Sequence, residues 1–303
     1  MQALAGKKIV IVGMGLIGGS VARALARLEL ECEVIGVGRD SAVLERAIND
    51  GSITGFTTDV QTACVDADLI LIAVPVLSIK NILQELAPVL ASHTVVTDVA
   101  SVKQAVVDAA QSVFGTVPDN FVPGHPIAGS EQSGYAAAKA ELFAGRRVIL
   151  TPLAQTNSDA VDLVTELWQA TGAEVLQMEV THHDEVLAAT SHLPHLLAFA
   201  LVDTLSQQGE SEEIFRFAAG GFRDFTRIAS SDPVMWRDIF ASNPDAIVKI
   251  LDEYTADLGE LRAALLARDS EQLFTLCKRA KQSREVFLAM NSGSKSSQTS
   301  KPD

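Results

Sequence analysis

Cysteine is scarce in this chain: Cys32, Cys64 and Cys277 are odd in number and far apart in 303 residues. A disulfide framework and a C-x-x-C metal knuckle are therefore excluded, and all three are expected to be reduced packing residues. Positive charge is also short, with 24 Lys and Arg against 38 Asp and Glu and a net charge of −14. Nucleic acid and anionic membrane surfaces both reward clustered cations, so neither is expected as a partner. An anionic small molecule remains compatible if a few local cations receive it. No apolar run approaches the ~20 residues of a membrane span, and the first strand starts too early for a secretory leader. A cytoplasmic protein is expected. No repeat and no H-E-x-x-H occurs.

Hydrophobic content of 48% and charged content of 20% are those of an ordinary globular chain. From residue 7 to about 178, apolar runs alternate with amphipathic stretches: KIVIVG, CEVIGVG, DLILIAVP, TVVTDV, NFVPGHP, RRVILTP and AEVLQM. That alternation predicts an α/β, doubly wound, mostly parallel sheet of Rossmann type over residues 1–178. After THHDEV the period becomes helical, over 182–207, 233–240, 244–267 and 269–290. An all-α domain is expected over 179–290, with more apolar helical face than a lone bundle would bury, so pairing into a homodimer is expected. The Ser-rich end, residues 291–303, is expected to be a disordered tail.

Gly13, Gly15 and Gly18 follow KIVIV and open the helical LIGGSVARALARL, in the spacing G-x-G-x-x-G. In a dinucleotide fingerprint the first glycine makes a tight turn and the second admits a pyrophosphate. The third packs the helix on the sheet. Leu16 and Ile17 in that turn, and Val74 and Pro75 ending DLILIAVP, are the further cofactor candidates. The second strand ends at Gly38 and Arg39, where NAD enzymes carry an acid for the ribose hydroxyls. A guanidinium there suits the 2′-phosphate of NADP, so NADP is modestly favoured over NAD; Asp40 stands one step further.

Beyond the cofactor turn, polar residues gather in TDVASVK, where Ser101 and Lys103 are expected to face the crevice, and in PGHPIAGSEQSG, with His125 and Glu131. A loop histidine at the mouth of a sheet can hold a proton near neutral pH. SHLPH supplies His192 and His195, three apart, and GGFRDFTRIASSDPVMWRD supplies Gly220, Arg223, Asp224, Arg227 and Trp236. His182, His183 and Asp184 lie close enough in sequence to raise a metal site, but no metal signature occurs and none is expected.

Taken in order, GMGLIGGS, DVASVK, GHPIAGSEQSG, SHLPH and GGFRDFTRIASSDPVMWRDI resemble the prephenate and arogenate dehydrogenases from Lys7 to about Met290. The resemblance implies NAD(P)-dependent oxidative decarboxylation of a cyclohexadienyl acid in tyrosine biosynthesis. Hydride leaves the ring carbon bearing the hydroxyl, and carbon dioxide departs as the ring becomes aromatic. It implies that His125 takes the hydroxyl proton while neutral, and that Ser101 shares that hydroxyl and holds the imidazole in place. Arg227 would meet a substrate carboxylate with paired hydrogen bonds, and Asp224 would orient that arginine or close a dimer cleft. His192, His195, Gly220 and Trp236 would line the pocket, although Trp236 equally suits plain packing. Glu131 would pair with the amino group of arogenate or gate the entrance. With only a short tail after 290, any tyrosine feedback is expected at or near the active site.

Two other readings stay open. One is a different dehydrogenase with a Rossmann and a helical domain, of the β-hydroxy-acid type, which depends on a lysine base. The other is a non-catalytic sensor of NAD(P)H.

Overall fold

A computed structural model of the chain describes residues 2–28, 31–209 and 211–292. Two compact units are distinguished, Met1–Ile247 and Val248–Asp303. The first holds a six-stranded parallel sheet: β1 (Lys8–Val12), β2 (Glu33–Val37), β3 (Gly55–Thr57), β4 (Leu69–Ile72), β5 (Val95–Asp98) and β6 (Phe121–Val122). Their spatial order is β3-β2-β1-β4-β5-β6. Winding reverses between β1 and β4, which opens a crevice beyond their carboxyl ends, where such sheets bind ligands.

The residues of β1 and β4 are almost uniformly aliphatic because helices cover both faces. Successive side chains enter opposite cores: Ile9, Ile11, Leu69 and Leu71 pack on one side, Val10, Val12, Ile70 and Ile72 on the other. Truncating fully buried Ile70 to Ala is worth ~2–5 kcal/mol of stability. The covering helices are α1 (Leu16–Ala26), α2 (Ser41–Asn49), α3 (Val60–Cys64), α4 (Ile79–Leu86), α5 (Gln104–Phe114) and α6 (Ser158–Ala170).

A second, three-stranded sheet holds β7 (Gly124–Pro126), β8 (Arg147–Leu150) and β9 (Glu174–Gln177). β7 runs antiparallel to β8, and β8 parallel to β9. NFVPGHP, one strand in the sequence reading, is thus divided between sheets at Pro123, whose nitrogen has no hydrogen to give a ladder. Val122 still pairs with β5, while His125 already pairs with Ile149 of β8. β3, only three residues long, shows no readable alternation and was not expected.

The unit continues through α7 (Val180–Leu187), a π-helical turn (Ala188–His192), α8 (Leu193–Ser206), α9 (Ser211–Arg216), α10 (Gly220–Thr226) and α11 (Pro233–Ser242). Val180–Ser206 forms one continuous helical stretch that is, by length and composition, apolar enough to cross a membrane. This corrects the expectation that no run is so long; His192, Pro194 and His195 interrupt its hydrophobic pattern on paper. Yet its His183, Asp184 and His192 are buried and hydrogen-bonded within this unit.

α12 (Pro244–Ala267) leads into the second unit, where α13 (Ser270–Ser292) follows a turn with Arg268 at φ 54°. Within that unit Leu258, Leu265, Leu266, Phe274, Leu288 and Met290 are exposed. Cys277 is exposed too, so the expectation that it is a packing residue fails, whereas Cys64 is buried and Cys32 half-buried. Of the expected tail, residues 291 and 292 still belong to α13, and 293–303 lie outside the described residues.

Candidate active site

The glycine turn has the geometry its spacing predicts. Gly13 adopts φ +106°, and a Cβ on it would stand 2.3 Å from the Ala73 carbonyl oxygen. A Cβ on Gly18 would meet the Gly13 carbonyl oxygen at 2.1 Å, so strand and helix touch backbone to backbone. Gly15 differs: nothing lies within 4 Å of its Cβ position, and it begins α1 without a side-chain cap. The first-turn N–H groups of α1 are left to an incoming anion, as a pyrophosphate requires. Leu16 and Ile17 are half-buried in that turn, and Val74 packs 3.0 Å from the Cβ position of Gly13, followed by exposed Pro75. These residues fit a dinucleotide. At the tip of β2, Asp40 Oδ1 accepts the Ala42 N–H at 3.0 Å as the cap of α2, so its carboxylate serves the helix start. Arg39 beside it is exposed.

Where β5 and β7 meet, the second polar group assembles. His125 is 8% exposed, and its Nδ1 lies 2.9 Å from Nε2 of His183. His183 Nδ1 in turn lies 2.7 Å from Oδ1 of Asp184. The Asp184 carboxylate also accepts the Lys103 N–H at 2.8 Å and the Gln104 N–H at 2.9 Å. Burial, reinforced by His183, Lys103 and His192, holds the pKa of His125 well below the ordinary imidazole value, so the ring is neutral at pH 7. Ser101 is half-buried between buried Ala100 and Val102. The ring of His125 is held by His183, not by Ser101 as expected. Lys103 also departs from expectation: it is fully buried instead of facing the crevice. Its ammonium pairs with Asp98 and donates to the Gly124 carbonyl at 2.6 Å, immediately before His125.

The helical residues converge from another side. The π-helical turn admits an extra residue per turn just before Pro194, whose missing N–H is tolerated at the start of α8. Within this turn His192 is fully buried, and burial pushes its pKa down to about 4. Asn243 donates to the Asp184 carbonyl at 2.9 Å and stands 3.3 Å from His192 Nδ1. His195 Nδ1 donates to the Ser191 carbonyl at 2.8 Å, and its ring stacks on Trp236 with centroids 3.6 Å apart. Trp236 is 5% exposed and packs with Val102 and Ile239, so it serves as core and as the wall against which both histidines rest.

Glu131 and Arg227 form an ion pair between the loop after β7 and the residue following α10. The Glu131 loop is pinned at its far end by Tyr135, whose hydroxyl lies 2.8 Å from Asp50 Oδ2 and whose ring carries the Arg23 guanidinium at 4.5 Å. Gly220 starts α10, and Asp224 is exposed on it. Among the described residues Arg227 is paired with Glu131 and not with Asp224. Sequence reasoning missed Asp98 and Asn243 as site residues, and considered His183 and Asp184 only as neighbours of a metal site that it did not expect. The one signal available was an acid next to a histidine at the head of an apolar helix.

Comparisons with known proteins bear on the family. The profile for "Prephenate dehydrogenase, nucleotide-binding domain" matches residues 21–177, and that for "Prephenate dehydrogenase, dimerization domain" matches 179–279. The cyclohexadienyl dehydrogenase of Zymomonas mobilis is 38% identical over 92% of this chain and 95% of its own length. The prephenate dehydrogenase of Bacillus subtilis is 39% identical over 91% of this chain and 75% of its own. The crystal structure of prephenate dehydrogenase from A. aeolicus, in complex with hydroxyphenyl propionate and NAD+, superposes with a TM-score of 0.87 at 35% identity, covering 94% of this chain and 99% of that one. With both profiles matched in order and relatives this similar along nearly the whole length, the chain belongs to the prephenate dehydrogenase family, oxidoreductases with a dinucleotide-binding domain.

Proposed function

We propose that this chain oxidatively decarboxylates prephenate, arogenate or both, as a step of tyrosine formation, with His125 as the general base. The observation that carries the reading is a buried, neutral imidazole held by a second histidine at the carboxyl end of a sheet whose glycine turn fits a dinucleotide. A bound NAD(P) supplies the hydride acceptor. His125 accepts the proton of the ring hydroxyl as that oxygen becomes a carbonyl, and returns it to the phenolate oxygen after carbon dioxide has left. Proton count and charge then balance over the turnover. Ser101 hydrogen-bonds the same hydroxyl.

Arg227 receives a substrate carboxylate, in competition with Glu131. The keto-acid side chain of prephenate, which offers no positive charge, is slightly repelled by the Glu131 carboxylate, whereas the ammonium of arogenate is attracted, so the pair bears on substrate choice. His192, His195, Trp236 and Gly220 line the pocket, and Asp224 lies at its rim. Arg39, with the Asp40 carboxylate committed to α2, supports NADP ahead of NAD. The apolar side chains exposed on α12 and α13 support a homodimer, with the division near residue 178 separating cofactor and dimer domains. The protein is read as a cytoplasmic biosynthetic enzyme.

The test is an initial-rate assay of prephenate and arogenate, each with NAD+ and NADP+, followed by absorbance of the reduced nicotinamide. Turnover in any combination supports the reading, and the fastest one identifies substrate and cofactor. Silence in all four, with dinucleotide still bound, overturns it.

A further inference from the structure

We infer that Asp184, acting through His183, fixes the tautomer of His125 so that Nε2 carries the lone pair that receives the substrate proton. The inference rests on the reading of His125 as base. Asp184 and His183 do not act on substrate; they are positioning residues.

The hydrogen-bond chain allows one neutral arrangement. An ionised carboxylate only accepts, so His183 Nδ1, 2.7 Å from Asp184 Oδ1, must carry the hydrogen. Burial is the largest influence on His183 and keeps its ring neutral, so its Nε2 is then an acceptor. His125 Nδ1, 2.9 Å from that nitrogen, must donate to it, which leaves His125 Nε2 unprotonated. Asp184 cannot rotate away, because two backbone N–H groups, of Lys103 and Gln104, are bonded to its two oxygens. All three side chains are nearly or wholly buried, at 8%, 0% and 4% exposure, so water does not compete for the bonds.

The same chain stabilises the imidazolium that forms when His125 takes the proton, since Asp184 is the carboxylate aligned with it. The other charged or titratable groups facing the pair are Lys103, paired with Asp98 after β5, and His192 from the π-helical turn. Burial, His183, Lys103 and His192 all disfavour a charged His125, and Asp184, reached through His183, is the carboxylate at the far end of the hydrogen-bond chain that offsets them.

The test compares wild type with Asp184→Asn, His183→Gln and His125→Asn. In 15N-histidine-labelled enzyme, long-range proton–nitrogen spectra report each tautomer, and the His125 signals are assigned by their loss in His125→Asn. Wild type is expected to show His125 protonated at Nδ1. Asp184→Asn, whose amide can donate to His183, is expected to move that hydrogen to Nε2. It should lower kcat by ~10²-fold or more while KM and dinucleotide affinity change little. The acid limb of the rate profile should move to lower pH, because the imidazolium has lost its carboxylate. His183→Gln, which leaves the Asp184 bonds to Lys103 and Gln104 intact, should show the same kcat loss if Asp184→Asn does not fold. Wild-type His125 protonated at Nε2, or both variants turning over at the wild-type rate and pH profile, overturns the inference. If His125→Asn itself turns over normally, the failure is instead that of the base assignment.

Discussion

Replacing Lys103 with Met tests how much of the architecture around His125 depends on one buried charge pair. The ammonium and the Asp98 carboxylate are both 0% exposed, and methionine keeps most of the apolar stem. What the change removes is the positive charge and the hydrogen bond to the Gly124 carbonyl. Asp98 then retains only N–H donors, from Ala100 at 2.8 Å and Gly124 at 3.1 Å. Stranding one member of a buried pair costs ~3–5 kcal/mol. In a unit of this size each kcal/mol moves Tm by ~2–4 °C, so a fall of ~6–20 °C is expected by calorimetry at fixed protein concentration. Arg27→Met, which breaks the exposed pair with Glu141, should leave Tm nearly unchanged in the same assay. Adding Asp98→Asn to Lys103→Met should restore part of the loss, since the amide oxygen still accepts one N–H and no charge is stranded. If Lys103→Met melts with wild type, and Asp98→Asn restores nothing, the pair is not ionic and the reasoning fails.

Two further outcomes follow from the same geometry. Gly15→Ala should fold and melt like wild type, because its methyl enters open space, but should lose dinucleotide affinity because that space is the pyrophosphate seat. Gly18→Ala, whose Cβ would lie 2.1 Å from a carbonyl oxygen, should lose stability instead; equal NADH binding by Gly15→Ala and wild type in a fluorescence titration would refute the assignment. Acid should weaken the fold through His192. Its folded pKa of about 4 lies below the ordinary 6.5, so the unfolded chain takes the proton first, and stability present above 6.5 is lost as pH falls toward 4. At about pH 5 the loss is about 2 kcal/mol. His192→Asn should therefore show a shallower decline of Tm between about pH 7 and about pH 5; an unchanged slope would show that His192 is not buried as a neutral ring.

The cofactor turn was readable in sequence because its requirements are local. Gly13 and Gly18 answer to contacts within a few residues of themselves and one neighbouring strand, and both the preceding aliphatic run and the following helix are written out in order. α12 was read with its limits at 244 and 267 for the same reason: Pro244 at its first position and a sustained period of apolar residues. β7 was not separated from β6, because nothing local says that the chain leaves one sheet for another at Pro123; the partner that captures it, β8, lies more than twenty residues on.

The residues that touch a ligand and those that set its chemistry differ in legibility for a physical reason. His125, Arg227 and the glycines have shapes or charges that a ligand needs directly, so residue type and spacing announce them. Asp184 has no such mark: on an exposed helix the same residue would be a solvated acid of little consequence. It becomes decisive only because folding buries it at 4% exposure, beside His183 and under two backbone N–H groups from 80 and 81 positions earlier. Lys103 is misread in the same way, since a lysine after a strand is ordinarily exposed. Burial inverts its meaning from a ligand-facing cation to an internal tie that holds Gly124, and with it His125, against the end of β5. Protonation state is set by desolvation and by partners distant in sequence, and both arise only once the chain has folded.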